Sequence, residues 1–337
     1  MTTIARDPVR RLLRPSAALA GALAAGVAAA EPPRLQVPVA CEVGRTCFIQ
    51  NYLDRDPSPE AKDFSCGTLT YDAHNGTDFR VPTLKTQVDV LAAADGRVLR
   101  ARDDVPDVSV RAAGRREAVQ GAECGNGLVI AHADGLETQY CHMARGSLRA
   151  KPGDLVKAGQ PIGRVGLSGF TEYPHLHFTV RQDGRIVDPF ASGAPPAAAA
   201  PPGSCGGGAS LWATPLPYEP SAVLNAGFAA GPVAMETIES GEAGGAPLGA
   251  DAPALVAFAR AIGLQAGDVQ EITLKNPSGA VLAENKAEPL DRPKAQVLLF
   301  AGRRRPASGW DKGAYQATYT VRRNGRIVLE RSFATTF

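Results

Sequence analysis

Histidine is scarce in this chain: there are five in 337 residues, and all lie between His74 and His177. No H-E-x-x-H is present, which excludes the helix-borne zinc site whose glutamate acts as base. No C-x-x-C or similar tight doublet occurs, so the six cysteines do not read as zinc ligands. Beyond the N-terminus there is no long apolar run, which excludes a bundle of membrane helices. Charge of neither sign dominates, with 36 Lys and Arg against 34 Asp and Glu. That balance gives no steering toward nucleic acid. What is plentiful is turn-forming residues. The 36 Gly and 27 Pro favour short strands joined by turns. The length suits two ordinary domains.

The N-terminus reads as an export signal. Arg6, Arg10, Arg11 and Arg14 precede an apolar run from about Ala17 to Ala29, and Ala28-Ala29-Ala30 supplies a small-residue cleavage pattern. The alternative is an uncleaved anchor, for which the run is short. Removing residues 1–30 takes away four Arg and one Asp and leaves the remainder near −1. An oxidising compartment suits the cysteines, and the expected location is exported, in the periplasm or secreted. Cys41 with Cys47 pairs by proximity, and Cys124 with Cys141 across an expected hairpin. Cys66 and Cys205 then remain.

Residues 31–72 read as an irregular, cysteine-bearing lead-in. Strands are expected from about Gly67–Tyr71 to Phe190. Asp95-Gly96, Asp134-Gly135 and Asp183-Gly184 are hairpin signals within that stretch. The polar segment from Arg100 to Gly125 is expected to be a surface loop that could wall a cleft. Residues 191–210, rich in Ala, Pro and Gly, read as a linker. Residues 211–337 read as a β-sandwich-like accessory domain. Its expected strands include Val269–Leu274, Gln296–Phe300 and a closing hairpin at Asn324-Gly325, with one helix near Pro253 to Ile262. Trp212 and Trp310 are expected to be core or strand-edge residues.

Chemistry concentrates in three short stretches. His74-Asn75-Gly76-Thr77-Asp78 places a His and an Asp across a turn, and both side-chain types suit zinc. His175-Leu176-His177 on a strand projects two imidazoles from one face. In Tyr140-Cys141-His142 the same alternation puts Tyr140 and His142 on one face and Cys141 on the other. His132, at a strand end, reads as structural.

These motifs, in this order, resemble the lysostaphin-type (LytM-like) peptidoglycan endopeptidases over about residues 66 to 190. His74-x-Gly76-x-Asp78 matches the H-x-G-x-D element, and Ala94 to Val98 matches an early hairpin. GLVIAHADGLETQYCH, from Gly127 to His142, matches the strand pair ending in a catalytic His. Gly153 to Gly169 matches a glycine-rich barrel segment, and HLHF closes the set. The chain departs at Thr179, where the family often has an acid, at Tyr173-Pro174, where small residues are common, and in the long Arg100–Gly125 insert. These departures bear on the groove more than on the metal site.

The resemblance implies a mostly β protein, with a LytM-like β-hairpin, open-barrel catalytic domain (31–190) followed by the sandwich. It implies one Zn2+ held by His74, Asp78 and His177, with His142 and His175 as the catalytic pair. The expected function is hydrolysis of peptide cross-links in peptidoglycan, whose stem peptides are the partner. The alternative is a non-catalytic regulator or activator of other wall hydrolases on the same scaffold. A secreted protease of general specificity is a third reading. A wall-associated protein partner for the C-terminal domain is left open.

Overall fold

Two of the three Asp-Gly pairs, and Asn324-Gly325, take positive φ at both residues, as a tight hairpin turn requires (Asp134 56° and Gly135 73°, Asp183 50° and Gly184 77°, Asn324 51° and Gly325 79°). The third pair does not. Gly96 has no such φ; a Cβ there would lie 2.4 Å from the Ala131 carbonyl oxygen. Glycine at 96 admits a close-passing strand and turns no hairpin, which corrects the expectation for Ala94 to Val98. The structure is a computed structural model that describes residues 1–3, 34–112, 114–194, 207–244 and 247–337. The expected export signal lies almost wholly outside the described residues, as do Cys205 and the middle of the expected linker.

The first half is built of short antiparallel strands. They are β1 (Phe48–Asn51), β2 (Thr77–Arg80), β3 (Asp89–Leu91), β4 (Gly96–Arg102), β5 (Asn126–Ala131), β6 (Leu136–Met143), β7 (Leu155–Val156), β8 (Pro161–Arg164), β9 (His175–Gln182) and β10 (Arg185–Val187). One open sheet runs in the order β1-β2-β9-β6-β5-β4-β7, with β10 also on β9, and β3 pairs separately with β8. Strand structure thus begins at β1, inside the expected irregular lead-in, while Gly67–Tyr71 is irregular, with a bend at Thr68 to Thr70. The lead-in is core material: Leu35, Cys47, Ile49 and Tyr52 are buried with Phe79, Tyr140, Leu176 and Phe178. Each large apolar side chain so buried contributes roughly 1.5–3 kcal/mol. The Arg100–Gly125 segment carries one helical turn, α1 (Arg115–Ala118). Disulfides join Cys41 to Cys47 and Cys124 to Cys141. Cys66 is also disulfide-bonded.

The second half comprises β11 (Ala222–Ala229), α2 (Met235–Glu239), β12 (Ala254–Leu264), β13 (Val269–Lys275), β14 (Val281–Lys286), β15 (Lys294–Arg304), β16 (Ala314–Arg323) and β17 (Arg326–Thr336). A three-stranded sheet, β11-β12-β15, and a four-stranded sheet, β14-β13-β16-β17, enclose a core that includes Leu255, Ala257, Ile272 and Tyr319. The helix expected near Pro253 to Ile262 is instead the central strand β12. Leu255, Ala257, Ala259 and Ala261 face the sandwich core, while Val256 and Phe258 pack beneath α2 on the other side. A strand buried on both faces loses its polar alternation, so its sequence reads like a helix.

The junction between the halves is held at several points. Ser192 and Ala209 exchange backbone hydrogen bonds of 2.9 Å each, so the ends of the expected linker meet. Just beyond, Leu35 N–H donates to Leu211 O (2.7 Å) and Ala213 N–H to Leu35 O (2.8 Å). Trp212 is buried in the first core, against Phe79, Phe178 and Phe190. Residues 32–337 form one compact unit. No helix among the described residues is long and apolar enough to cross a membrane.

Candidate metal centre

The site is assembled by register. Antiparallel pairing of β2 with β9 sets Asp78 opposite His177 and Arg80 opposite His175. Directly opposed residues present their side chains on the same sheet face. His74 is delivered by the turn before β2, closed by His74 N–H donating to Tyr71 O at 3.0 Å. Gly76 leaves room for the His177 ring, because a Cβ there would lie 2.7 Å from it. His74 Nε2 stands 3.1 Å from Asp78 Oδ1 and 3.2 Å from His177 Nδ1, and His177 Nδ1 stands 2.9 Å from Asp78 Oδ1. Two imidazole nitrogens and a carboxylate oxygen, all within 4.8 Å of one another, could hold a metal ion.

The outer atoms support that fit. His74 Nδ1 donates to Tyr52 O at 2.6 Å, and His177 Nε2 faces Asn75 Oδ1 (3.0 Å) and Thr179 Oγ1 (3.1 Å). An outer nitrogen committed as donor leaves the inner one as a lone pair, the state a metal needs. The other carboxylate oxygen, Asp78 Oδ2, accepts from Asn51 Nδ2 at 2.8 Å. Nitrogen and carboxylate oxygen in this number suit Zn2+ with a position left open.

Two more histidines flank this group. His142 Nδ1 donates to Ser168 O at 2.8 Å, and His175 Nδ1 donates to Tyr173 O at 2.9 Å. Their rings lie 4.7 Å apart, and the His142 ring lies 6.0 Å from that of His177. His142 reaches the site through a backbone break. Its φ is 61°, an uncommon value for a residue other than glycine, and worth noting at a functional position. Strand alternation therefore fails there, which corrects the expected arrangement. Tyr140 points into the core, where its hydroxyl accepts from Ala93 N–H at 2.8 Å, while His142 faces the cleft. Cys141, opposite His177, lies on the site side.

Electrostatics separate four of these groups. Burial raises the Asp78 carboxyl, but His74 and His175 outweigh it and hold it well below the usual range. Burial lowers His74, and Asp78 more than reverses this, so its net shift is upward. Burial, with His175 and His177 adding to it, pushes His142 well down. Burial also lowers His177, against the pull of Asp78. His132 sits apart, bonded to Asp95 O and Thr138 Oγ1, in the structural role expected of it.

A cleft of about 340 Å³ opens over Asp78, His142 and His175. Val110 and Arg116 of the long loop wall it, as the sequence suggests, and Ala295 of β15 reaches its rim. Asn51, Tyr173 and the Ser168 carbonyl were not singled out for the site from sequence. None belongs to a metal-binding pattern, and Asn51 lies in the lead-in.

Residues 72–189 match peptidase family M23. Within this M23 segment the chain is similar to the peptidoglycan DD-endopeptidase ShyB of Vibrio cholerae, 35% identical over 115 residues, which are 34% of this chain and 22% of that protein. It is also similar to ShyA of the same organism, 30% identical over 128 residues, 38% of this chain and 25% of that one. The chain thus spans about a quarter or less of these relatives. Among solved structures, the catalytic domain of the prophage-encoded M23 protein EnpA from Enterococcus faecalis aligns with a TM-score of 0.28 and 30% identity, over 36% of this chain and 81% of that one.

Proposed function

We propose that this chain is an exported zinc metalloendopeptidase that hydrolyses peptide cross-links of bacterial peptidoglycan in the periplasm. The observation that carries the reading is the convergence of His74 Nε2, Asp78 Oδ1 and His177 Nδ1 beside the His142–His175 pair, with Asp78, His142 and His175 lining a cleft. His74, Asp78 and His177 would hold the ion. Zinc, when bound, supplies a Lewis acid that polarises a carbonyl and makes water acidic enough to attack near neutral pH.

The remaining chemistry belongs to the chain. Burial keeps His142 neutral, and its Nδ1–H is spent on Ser168 O, so its Nε2 lone pair faces the cleft. That nitrogen is placed to take the proton of the attacking water. His175, fixed by Tyr173 O, holds Nε2 3.4 Å from Asp78 Oδ1; once protonated at both nitrogens, it would donate from Nε2 to the oxygen that becomes negative. The proton taken by the pair is then delivered to the leaving amine. Residues 31–190 would carry the activity, 191–210 would link, and 211–337 would serve as an accessory domain. Two disulfides among the described residues suit an oxidising compartment.

The test is to incubate the zinc-loaded protein with purified peptidoglycan, with and without a chelator, and identify released fragments by mass spectrometry. Chelator-sensitive loss of cross-linked muropeptides is expected. No cleavage by protein carrying one zinc per chain would overturn the reading in favour of a regulator of other wall hydrolases.

A further inference from the structure

The junction between the two halves buries a charged cluster that the chemistry above does not use. Arg80 and Arg260 are both fully buried, and each places a guanidinium nitrogen 3.1 Å from the same oxygen, Glu239 Oε1. Arg80 belongs to β2, two residues beyond Asp78 and on its face of the strand. Glu239 ends α2 and Arg260 lies on β12, so both are sandwich residues. Arg260 also donates to the carbonyl oxygen of Pro82, just past β2, and Leu84 N–H donates to Glu239 O at 2.8 Å. The sandwich therefore grips the strand that carries Asp78 where that strand leaves the sheet.

Two guanidiniums sharing one carboxylate leave an excess of buried positive charge, which must be met elsewhere. It is met on the side toward the metal centre. The Arg80 guanidinium carbon lies 3.9 Å from the centre of the Tyr173 ring, a cation–π contact. Tyr173 in turn touches both parts of the site. Its hydroxyl accepts from Asn51 Nδ2 at 3.0 Å, and the same amide group donates to Asp78 Oδ2 at 2.8 Å. Its carbonyl accepts from His175 Nδ1 at 2.9 Å. An unbroken series of contacts thus runs from Glu239 through Arg80 and Tyr173 to Asp78 and to His175.

We propose that Glu239 is a positioning residue for the metal centre: it holds Arg80 against Tyr173, and Tyr173 fixes the Asn51–Asp78 hydrogen bond and the orientation of His175. The C-terminal sandwich is then a structural half of the site and more than an appended module. Tyr173 stands where the resembled family commonly has a small residue. A large side chain at that position, in a chain that supplies Arg80 and Glu239 to brace it, has a mechanical purpose. The proposal rests on the metal reading above but not on the identity of the substrate.

The experiment uses the full chain loaded with Co2+, whose visible absorption reports ligand geometry. Glu239→Gln keeps the size of the side chain and removes its charge; Tyr173→Phe keeps the ring for Arg80 and removes the acceptor for Asn51. Both are expected to bind Co2+ roughly 10- to 100-fold more weakly, the usual effect of losing an outer partner of a ligand, and to change its visible spectrum. Glu239→Asp should restore part of both. A purely structural role for Glu239 would lower the melting temperature of the metal-free protein and leave the Co2+ spectrum of the folded fraction as in the parent. Parental affinity and spectrum in folded Glu239→Gln would overturn the proposal, parental values in Tyr173→Phe would overturn the route through Tyr173, and if Glu239→Gln fails to fold, Glu239→Asp is judged in its place by the same two readouts. A parent that takes up Co2+ but cleaves no peptidoglycan defeats the peptidase reading while the spectra still judge this one; a parent that takes up none defeats both.

Discussion

Tyr140 and His142 are two positions apart on β6, yet one side chain ends in the core and the other in the cleft. The left-handed backbone at His142, φ 61°, makes the difference. Asparagine tolerates that conformation better than other non-glycine residues. His142→Asn is therefore expected to fold with its zinc in place and to lose activity by about 100- to 10,000-fold, the range for a lost general base. Metal analysis alongside turnover checks it; a zinc-loaded variant with parental turnover removes His142 from the mechanism.

His177→Ala and Asp78→Ala are expected to abolish stoichiometric zinc while leaving the far-ultraviolet circular dichroism unchanged. Gly76→Ala should weaken zinc too, although it alters no ligand, because the new Cβ would lie 2.7 Å from the His177 ring and 2.7 Å from the Phe178 carbonyl oxygen. Such crowding costs about 1–3 kcal/mol where the backbone cannot yield. Zinc per chain after dialysis is the measurement, and equal content in all four proteins would refute the ligand set.

Asp188 gives a pH dependence remote from the metal. Burial raises its carboxyl from 3.8 to about 6, against the opposing effects of Phe190 N–H and Arg55. The folded chain therefore holds this proton more tightly than the unfolded chain. The associated stability is complete below about pH 4 and is lost as pH rises through about 6. Asp188→Asn does not titrate. The stability of the parent minus that of the variant should fall by on the order of 3 kcal/mol across this window. Denaturant unfolding at several pH values measures it, and a flat difference counts against a raised Asp188.

Trp212 lies after the linker in sequence but before it in packing. Trp212→Ala is expected to cost about 3–5 kcal/mol. A chain ending at residue 194 should be much less stable than one ending at residue 218, which keeps Trp212 and Tyr218 on the first core. Thermal unfolding of the two fragments tests this; equal melting temperatures would show that the first half closes without them.

The His74, Asp78 and His177 cluster was legible because each residue sits in a short motif whose geometry is local: a turn for His74 and Asp78, strand alternation for His175 and His177. The hairpins at Asp134-Gly135 and Asn324-Gly325 were legible for the same reason. What failed was non-local. The alternation rule misplaced Tyr140 because it knows nothing of a left-handed residue two positions on. The helix near Pro253 became β12 because the facing sheet covers one side of it and α2 the other, with β11 and β15 along its edges. Asn51, which orders Asp78, sits 27 residues away in sequence with no pattern to mark it.

Ser192 and Ala209 bind each other through both backbone groups. The chain positions on either side of the expected linker are therefore fixed to one another directly, and the hydrogen bonds of Leu35 with Leu211 and Ala213 tie the same point to the start of the first half. The spacing of the two halves is thus set by these bonds and not by the number of residues between positions 192 and 209, so a change in that number would leave Glu239 where it meets Arg80.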